Sequence, residues 1–164
     1  MADAASGKSV ELVRAGEPRK LYLFAARFSP DEQWVAFHSR PDPTTRQIFV
    51  APFRNGVVPD RKGWIAVTDG KQMDREPFWS PDGNLLYFIS ERDGFRCIWA
   101  QRLDPATKKP AGPAFVVRDF HTAWRSLSAV SGGVGQIGLS ILPDRMIFAL
   151  GELTGNLWAL GRGQ

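Results

Sequence analysis

Short apolar runs alternate with short polar turns along the chain, most clearly in its middle. Pro77-Phe78-Trp79 is followed by Ser80-Pro81-Asp82-Gly83-Asn84, then by Leu85-Leu86-Tyr87-Phe88-Ile89. A second turn, Ser90-Glu91-Arg92-Asp93-Gly94, leads into Phe95-Arg96-Cys97-Ile98-Trp99-Ala100. Runs this short, rich in aromatic and β-branched residues and bounded by Pro-Asp-Gly and Asp-Gly, predict three antiparallel strands joined by tight turns. The turn residues have separate tasks. Pro81 pre-sets one backbone angle, Asp82 and Asp93 accept local N–H bonds, and Gly83 and Gly94 take up positive φ.

The same text recurs. Ser29-Pro30-Asp31-Glu32-Gln33-Trp34-Val35-Ala36-Phe37 aligns with Ser80 to Phe88 at a shift of 51 residues, and Ile48-Phe49-Val50-Ala51 matches Ile98-Trp99-Ala100-Gln101. A more worn copy is Pro143-Asp144-Arg145-Met146-Ile147-Phe148, followed by Gly155-Asn156-Leu157-Trp158-Ala159-Leu160. Its shift from the second copy is 60 at Phe88/Phe148 and 59 at Trp99/Trp158. A period near 50 with several short strands per unit predicts β-propeller blades.

Each unit has a candidate fourth strand. Trp64-Ile65-Ala66-Val67 follows the Arg54-Asn55-Gly56 turn, and Ala114-Phe115-Val116-Val117 follows the turn at Asp104 to Lys109. The third copy has none after it. Instead, Asp3 to Lys8 lines up with Asp104 to Lys109, and Ser9-Val10-Glu11-Leu12-Val13 reads as an outer strand. A permuted start of this kind lets the N-terminal strand complete the last blade and removes an open edge. A cut through a longer propeller, mid-blade, would produce the same order. The expected fold is all-β: three four-stranded antiparallel blades in a single domain over residues 1–164. Residues 1–19 carry the closing outer strand, 20–68 the first blade, 69–119 the second and 120–160 the third. Rings have about four to eight blades, so three are half of a six-bladed ring. Either two copies associate head to tail to complete it, or the chain is a half-propeller with exposed blade faces.

The Ser-Pro-Asp-Gly turn, the Tyr-Phe strand, the Arg-Asp-Gly turn and the Ile-Trp strand resemble the TolB-like, WD-like β-propeller repeat of bacterial proteins. The resemblance spans residues 21–160 and the first strand. It departs at Glu32-Gln33, which stand where the second copy has Gly-Asn, at the lengthened Pro41-Asp42-Pro43-Thr44-Thr45 turn, and at Leu142-Pro143-Asp144. Similar repeats occur at the C-terminal end of bacterial serine/threonine protein kinases, in transcriptional regulators and in oligopeptidases. The resemblance therefore implies a fold and several kinds of host protein, and fold does not determine function.

Composition narrows the class. Of 164 residues, 43% are hydrophobic and 23% charged, as in an ordinary globular chain. The formal charge of +4 is scattered without runs of one sign, so no nucleic acid partner is implied. A lone cysteine, Cys97, rules out an intrachain disulfide and reads as a buried small apolar residue. Neither a signal-peptide pattern nor an 18-residue apolar stretch occurs. The expectation is no membrane contact by this chain and a cytoplasmic location by default, extracytoplasmic if it belongs to a longer protein.

Chemistry-bearing motifs are weak. Ala2 to Ser9 misses a phosphate loop at its first glycine, and a strand follows where a helix is needed. Gly133-Val134-Gly135-Gln136-Ile137-Gly138 also runs into a strand, not a helix. With two histidines, one cysteine and no metal-ligand spacing, we expect no metal, no cofactor and no catalytic constellation. His38 reads as a structural residue of a strand. Asp31, Asp82, Gly83, Asp93, Gly94 and Asp144 read as turn formers.

Two stretches are candidates for ligand contact. Asp74 and Arg75, with Glu76, lie on the crossing between the first and second blades, at one mouth of the channel. They are either ligand contacts or a local charge cluster on a solvated loop. His121, Trp124 and Arg125 open the longest irregular stretch, residues 120–136, and combine a donor, a stacking face and a cation. A plug between blades is the alternative. The function these features suggest is non-catalytic: a ligand- or protein-binding scaffold module, the sensor or interaction part of a bacterial signalling protein, with a protein or peptide partner. The rivals are a substrate-gating propeller fragment of an oligopeptidase-like hydrolase and a TolB-like envelope scaffold. A kinase or DNA-binding domain, a hydrolase domain or a signal peptide upstream would separate the three.

Overall fold

A computed structural model describes residues 12, 21–121, 125–127 and 138–152. Two four-stranded antiparallel meanders dominate it. The first contains β1 (Tyr22–Phe28), β2 (Trp34–Arg40), β3 (Gln47–Pro52) and β4 (Ile65–Ala66), in that order across the sheet. The second contains β5 (Arg75–Trp79), β6 (Leu85–Ser90), β7 (Cys97–Arg102) and β8 (Phe115–Arg118), again in order. A 3-10 turn, Arg61–Gly63, precedes β4. Four short strands follow: β9 (Arg125–Ser126), β10 (Ser140–Ile141), β11 (Met146–Ile147) and β12 (Gly151–Glu152). Among the described residues no helix is long and apolar enough to cross a membrane.

The turns explain why the text repeats. The Ser80 hydroxyl donates to Asp82 Oδ1 at 2.5 Å and accepts the Leu85 N–H at 2.8 Å, while the same carboxylate accepts the Asn84 N–H at 3.1 Å. Ser29, Asp31, Gln33 and Trp34 repeat this network with matching bonds of 2.5, 3.0 and 3.1 Å. The serine hydroxyl is the chief cause that holds each aspartate below the ordinary carboxylate range. Glu32 adopts φ 56°, in the left-handed region where Gly83 sits at 68°. The geometry of the turn thus survives the loss of glycine, at a local backbone strain of about 1 kcal/mol. In the third copy Leu142 stands where the serine would be, and Asp144 instead pairs with Arg145 at 2.6 Å.

Alternation along the strands builds three apolar layers. Ala36, Ile48 and Val50 of the first sheet face Leu86 and Phe88 of the second in a fully buried layer. The other side of the first sheet holds Val35, Phe37 and Phe49 against Trp64, whose ring meets Phe37 edge-on at 4.8 Å. Leu12 packs against this layer; the rest of the expected N-terminal strand lies outside the described residues. The other side of the second sheet joins Phe78, Ile89 and Ile98 to Phe120, Leu127 and Leu139. β5, packed against β1 and β2 and paired with β6, is buried at every residue, its charged Arg75 and Glu76 included.

The inner strand of each unit carries a register break. From Phe24↔His38 to Arg27↔Ala36, β1 advances three residues while β2 retreats two, a surplus of one, and Ala25 turns left-handed at φ 53°. From Arg75↔Ile89 to Phe78↔Tyr87 the surplus is again one, with Glu76 at φ 53°. These are β-bulges at equivalent positions, 51 residues apart. Two short ladders follow in the third unit. β9 pairs with β12 at Ser126↔Gly151, and β10 pairs with β11 at Ser140↔Ile147. Between these two pairs lie fourteen positions on one side and four on the other. The irregular stretch expected at residues 120–136 includes a short strand at Arg125–Ser126, and its residues 122–124 and 128–136 lie outside the described ones.

Candidate functional site

The first strands of the three units lie side by side and line one open groove of about 740 Å³. Its walls include Arg27, Phe28, Phe78, Trp79 and Ile141, and three turn prolines, Pro30, Pro81 and Pro143, which hold equivalent positions in the three copies. The Trp79 indole N–H donates to the Arg27 carbonyl at 3.0 Å and ties the two inner strands together. The Arg27 guanidinium lies 3.9 Å over the Phe78 ring. Burial disfavours its charged form and Glu76 favours it. An arginine stacked on an aromatic face keeps its N–H edge available for a carboxylate or carbonyl. With an apolar floor, one cation and a volume within the usual pocket range, the groove suits an extended segment that carries an apolar and an acidic side chain.

At the opposite ends of the strands lies a buried ionic network. The crossing from β4 to β5 is held to the β2–β3 turn by the Arg46 N–H, which donates to the Gln72 carbonyl at 2.9 Å. Asp74 is fully buried and accepts from Arg92 at 3.0 Å, and Arg92 also reaches the Ser90 hydroxyl. Arg75, 7% exposed, donates to Glu91 at 2.6 Å, and Arg96 donates to the same carboxylate oxygen at 3.0 Å. Asp74 and Arg75 thus act as internal ion-pair partners that fasten the crossing: they form a charge cluster, but a buried one and not the cluster on a solvated loop read from sequence. Burial disfavours the charged forms of Arg46 and Arg75, and neighbouring arginines add to the effect. The Arg46 and Arg75 Nε groups and Asp74 Oδ2 are buried without hydrogen-bond partners among the described residues.

His38 belongs to the same region, fully buried in β2, and its Nε2 has no hydrogen-bond partner among the described residues. Its Nδ1 accepts the Glu76 N–H at 3.3 Å, and its ring stacks on Phe24 at 5.4 Å. Burial first, then Arg46 and Arg75, lower its pKa from 6.5 to about 4. The folded state therefore holds it neutral, while the unfolded chain protonates it. This contribution is complete above pH 6.5 and is lost as pH falls from 6.5 to about 4. Unfolding titrations across that window are expected to show a loss of about 3 kcal/mol in wild type and a much flatter profile in His38→Asn. An unchanged slope in the variant would place the acid sensitivity elsewhere.

His121 follows β8 and pairs with Asp93 Oδ2 at 2.9 Å. Trp124 lies outside the described residues, and of Arg125 the backbone of β9 is described but the side chain is not. Asp93 and Gly94 form the expected turn, with Gly94 at φ 86° and the Phe95 N–H donating to Asp93 Oδ1 at 3.3 Å. Cys97 is buried as expected, and burial raises its pKa. Arg27 and the three prolines escaped the sequence-based reading. The repeated Ser-Pro-Asp turns were visible, but a shared groove exists only once the inner strands stack.

The fold also gathers donor atoms that no local spacing reveals. Asp93, Cys97 and His121 each present one ligand-type atom, all within 4.8 Å of one another. No protein-family model matches the chain, and no curated protein shows significant similarity to it.

Proposed function

We propose that this chain is a non-catalytic binding module built of propeller blades, taking an acidic and apolar peptide segment of a partner protein into the groove between its inner strands. The observation that carries the reading is the groove itself: three equivalent strands and three equivalent turn prolines converge on it. In a propeller the first strand of each blade borders the central channel, so a groove lined by three first strands corresponds to a sector of that channel. A second copy arranged head to tail would supply the remaining blades of a six-bladed ring, in keeping with the resemblance to TolB-like repeats. The peptide's acidic group would meet Arg27 and its apolar group would lie against Phe78 and Ile141.

Selection from a peptide-display library tests this directly. Acidic-apolar binders are expected, with affinity reduced at least about tenfold by Arg27→Gln and abolished by Ser140→Trp, which fills the groove from an exposed position. Both variants should keep the wild-type melting temperature. Selection of no peptide, or of peptides indifferent to both substitutions, would overturn the proposal.

A further inference from the structure

Three segments that end on the same side of the second sheet bring different donors together. Asp93 comes from the β6–β7 turn, Cys97 opens β7, and His121 follows β8. Their ligand-type atoms lie within 4.8 Å of one another, with Asp93 Oδ2 and His121 Nε2 already at 2.9 Å. Tetrahedral zinc, with bonds of about 2.0–2.3 Å, sets its ligands about 3.5 Å apart, so the set needs to adjust by only about 1 Å. The two members free to move are the exposed ones: the side chains of His121 and Asp93 are 50% and 25% accessible, whereas Cys97 is fully buried.

From this convergence we infer that Asp93, Cys97 and His121 form a binding site for a divalent transition metal of the zinc type. Thiolate, imidazole and carboxylate are the donor classes that such a borderline ion takes, whereas calcium and magnesium prefer oxygen alone. The surroundings orient each donor. The Phe95 N–H holds Asp93 Oδ1, which leaves Oδ2 turned to His121. The His121 ring rests against Phe95 at 4.6 Å. The Phe120 N–H donates to Cys97 Sγ at 3.3 Å, a bond that also favours a thiolate. Three protein ligands leave the fourth position to water, on the exposed side of His121. The site lies at the opposite strand ends from the peptide groove and stands independently of it.

Cobalt(II) is the probe, because a thiolate ligand gives it an intense ligand-to-metal absorption band in the near ultraviolet. Titrating the full chain should produce that band with one equivalent bound, and zinc should bleach it. His121→Ala and Asp93→Asn, both at exposed side chains, should each weaken cobalt binding at least about tenfold with the fold intact by circular dichroism. Cys97→Ser should remove the band. Absence of the band in wild type, or a band whose affinity neither exposed variant changes, would overturn the assignment.

Discussion

Phe88→Ala is expected to destabilise the chain by about 3–5 kcal/mol, the range for a large aromatic removed from a close-packed layer. Phe88 has no accessible surface and stands in β6 against Ala36, Ile48 and Val50 of the neighbouring sheet. It cannot be compensated by collapse, because the facing residues belong to strands whose hydrogen bonds hold them in register. Its ring also receives Arg92 at 5.2 Å. Denaturant titration of the variant measures the loss. Phe28→Ala is the control, since Phe28 is 37% exposed on the groove side and should lose far less. A loss below about 1 kcal/mol at Phe88 would mean that the two sheets do not derive their association from this layer.

Asp74→Ala is expected to cost about 3 kcal/mol, for an electrostatic reason instead of a packing one. Its carboxylate is the buried counter-charge to Arg92, in a region that also holds Arg46, Arg75 and Arg96. Removing it takes away the carboxylate that Arg92 pairs with, while Glu91 remains engaged with Arg75 and Arg96. The effect stays at the lower end of the range because the Arg92 side chain is 22% accessible and can turn toward water. The double variant Asp74→Leu/Arg92→Leu should recover most of the loss, since an apolar pair of similar volume removes the unpaired charge as well. Urea unfolding of the single and double variants decides it. A double variant as unstable as the single one would show that Asp74 serves through its shape and not its charge.

The sequence displays the turns better than anything else, because each turn is a local device. Ser29-Pro30-Asp31 and Ser80-Pro81-Asp82 form the same hydroxyl–carboxylate–amide network, and strands such as β2, β3, β6 and β7 fall where the apolar runs placed them, whereas β5 starts at Arg75, two residues before its apolar run. The bulges at Ala25 and Glu76 leave no such trace. Neither is a glycine, and each is imposed by pairing with a neighbouring strand and not by its own preference. Asp74 and Arg75 show the same limit from another side. Sequence placed them on a crossing between sheets, yet their burial follows from Arg92, Glu91 and Arg96 arriving from the β6–β7 turn. Cys97 was legible as a buried residue but not as a neighbour of His121, which is separated from it by a whole strand and its connections.

The repeated bulge uncouples two properties that a β-ladder ordinarily binds together. In an uninterrupted pair, any added residue shifts all the pairing beyond it and turns buried side chains toward solvent. Here the inner strand already tolerates a surplus at one point, so length can accumulate there while the ladder on either side keeps its facing. The third unit keeps Ser126↔Gly151 and Ser140↔Ile147 paired although fourteen positions separate them on one side and four on the other. The bulge is thus a port through which a repeat can acquire new sequence beside the shared groove without renegotiating its core, and copies of one unit can diverge in what they present while remaining interchangeable in how they stack.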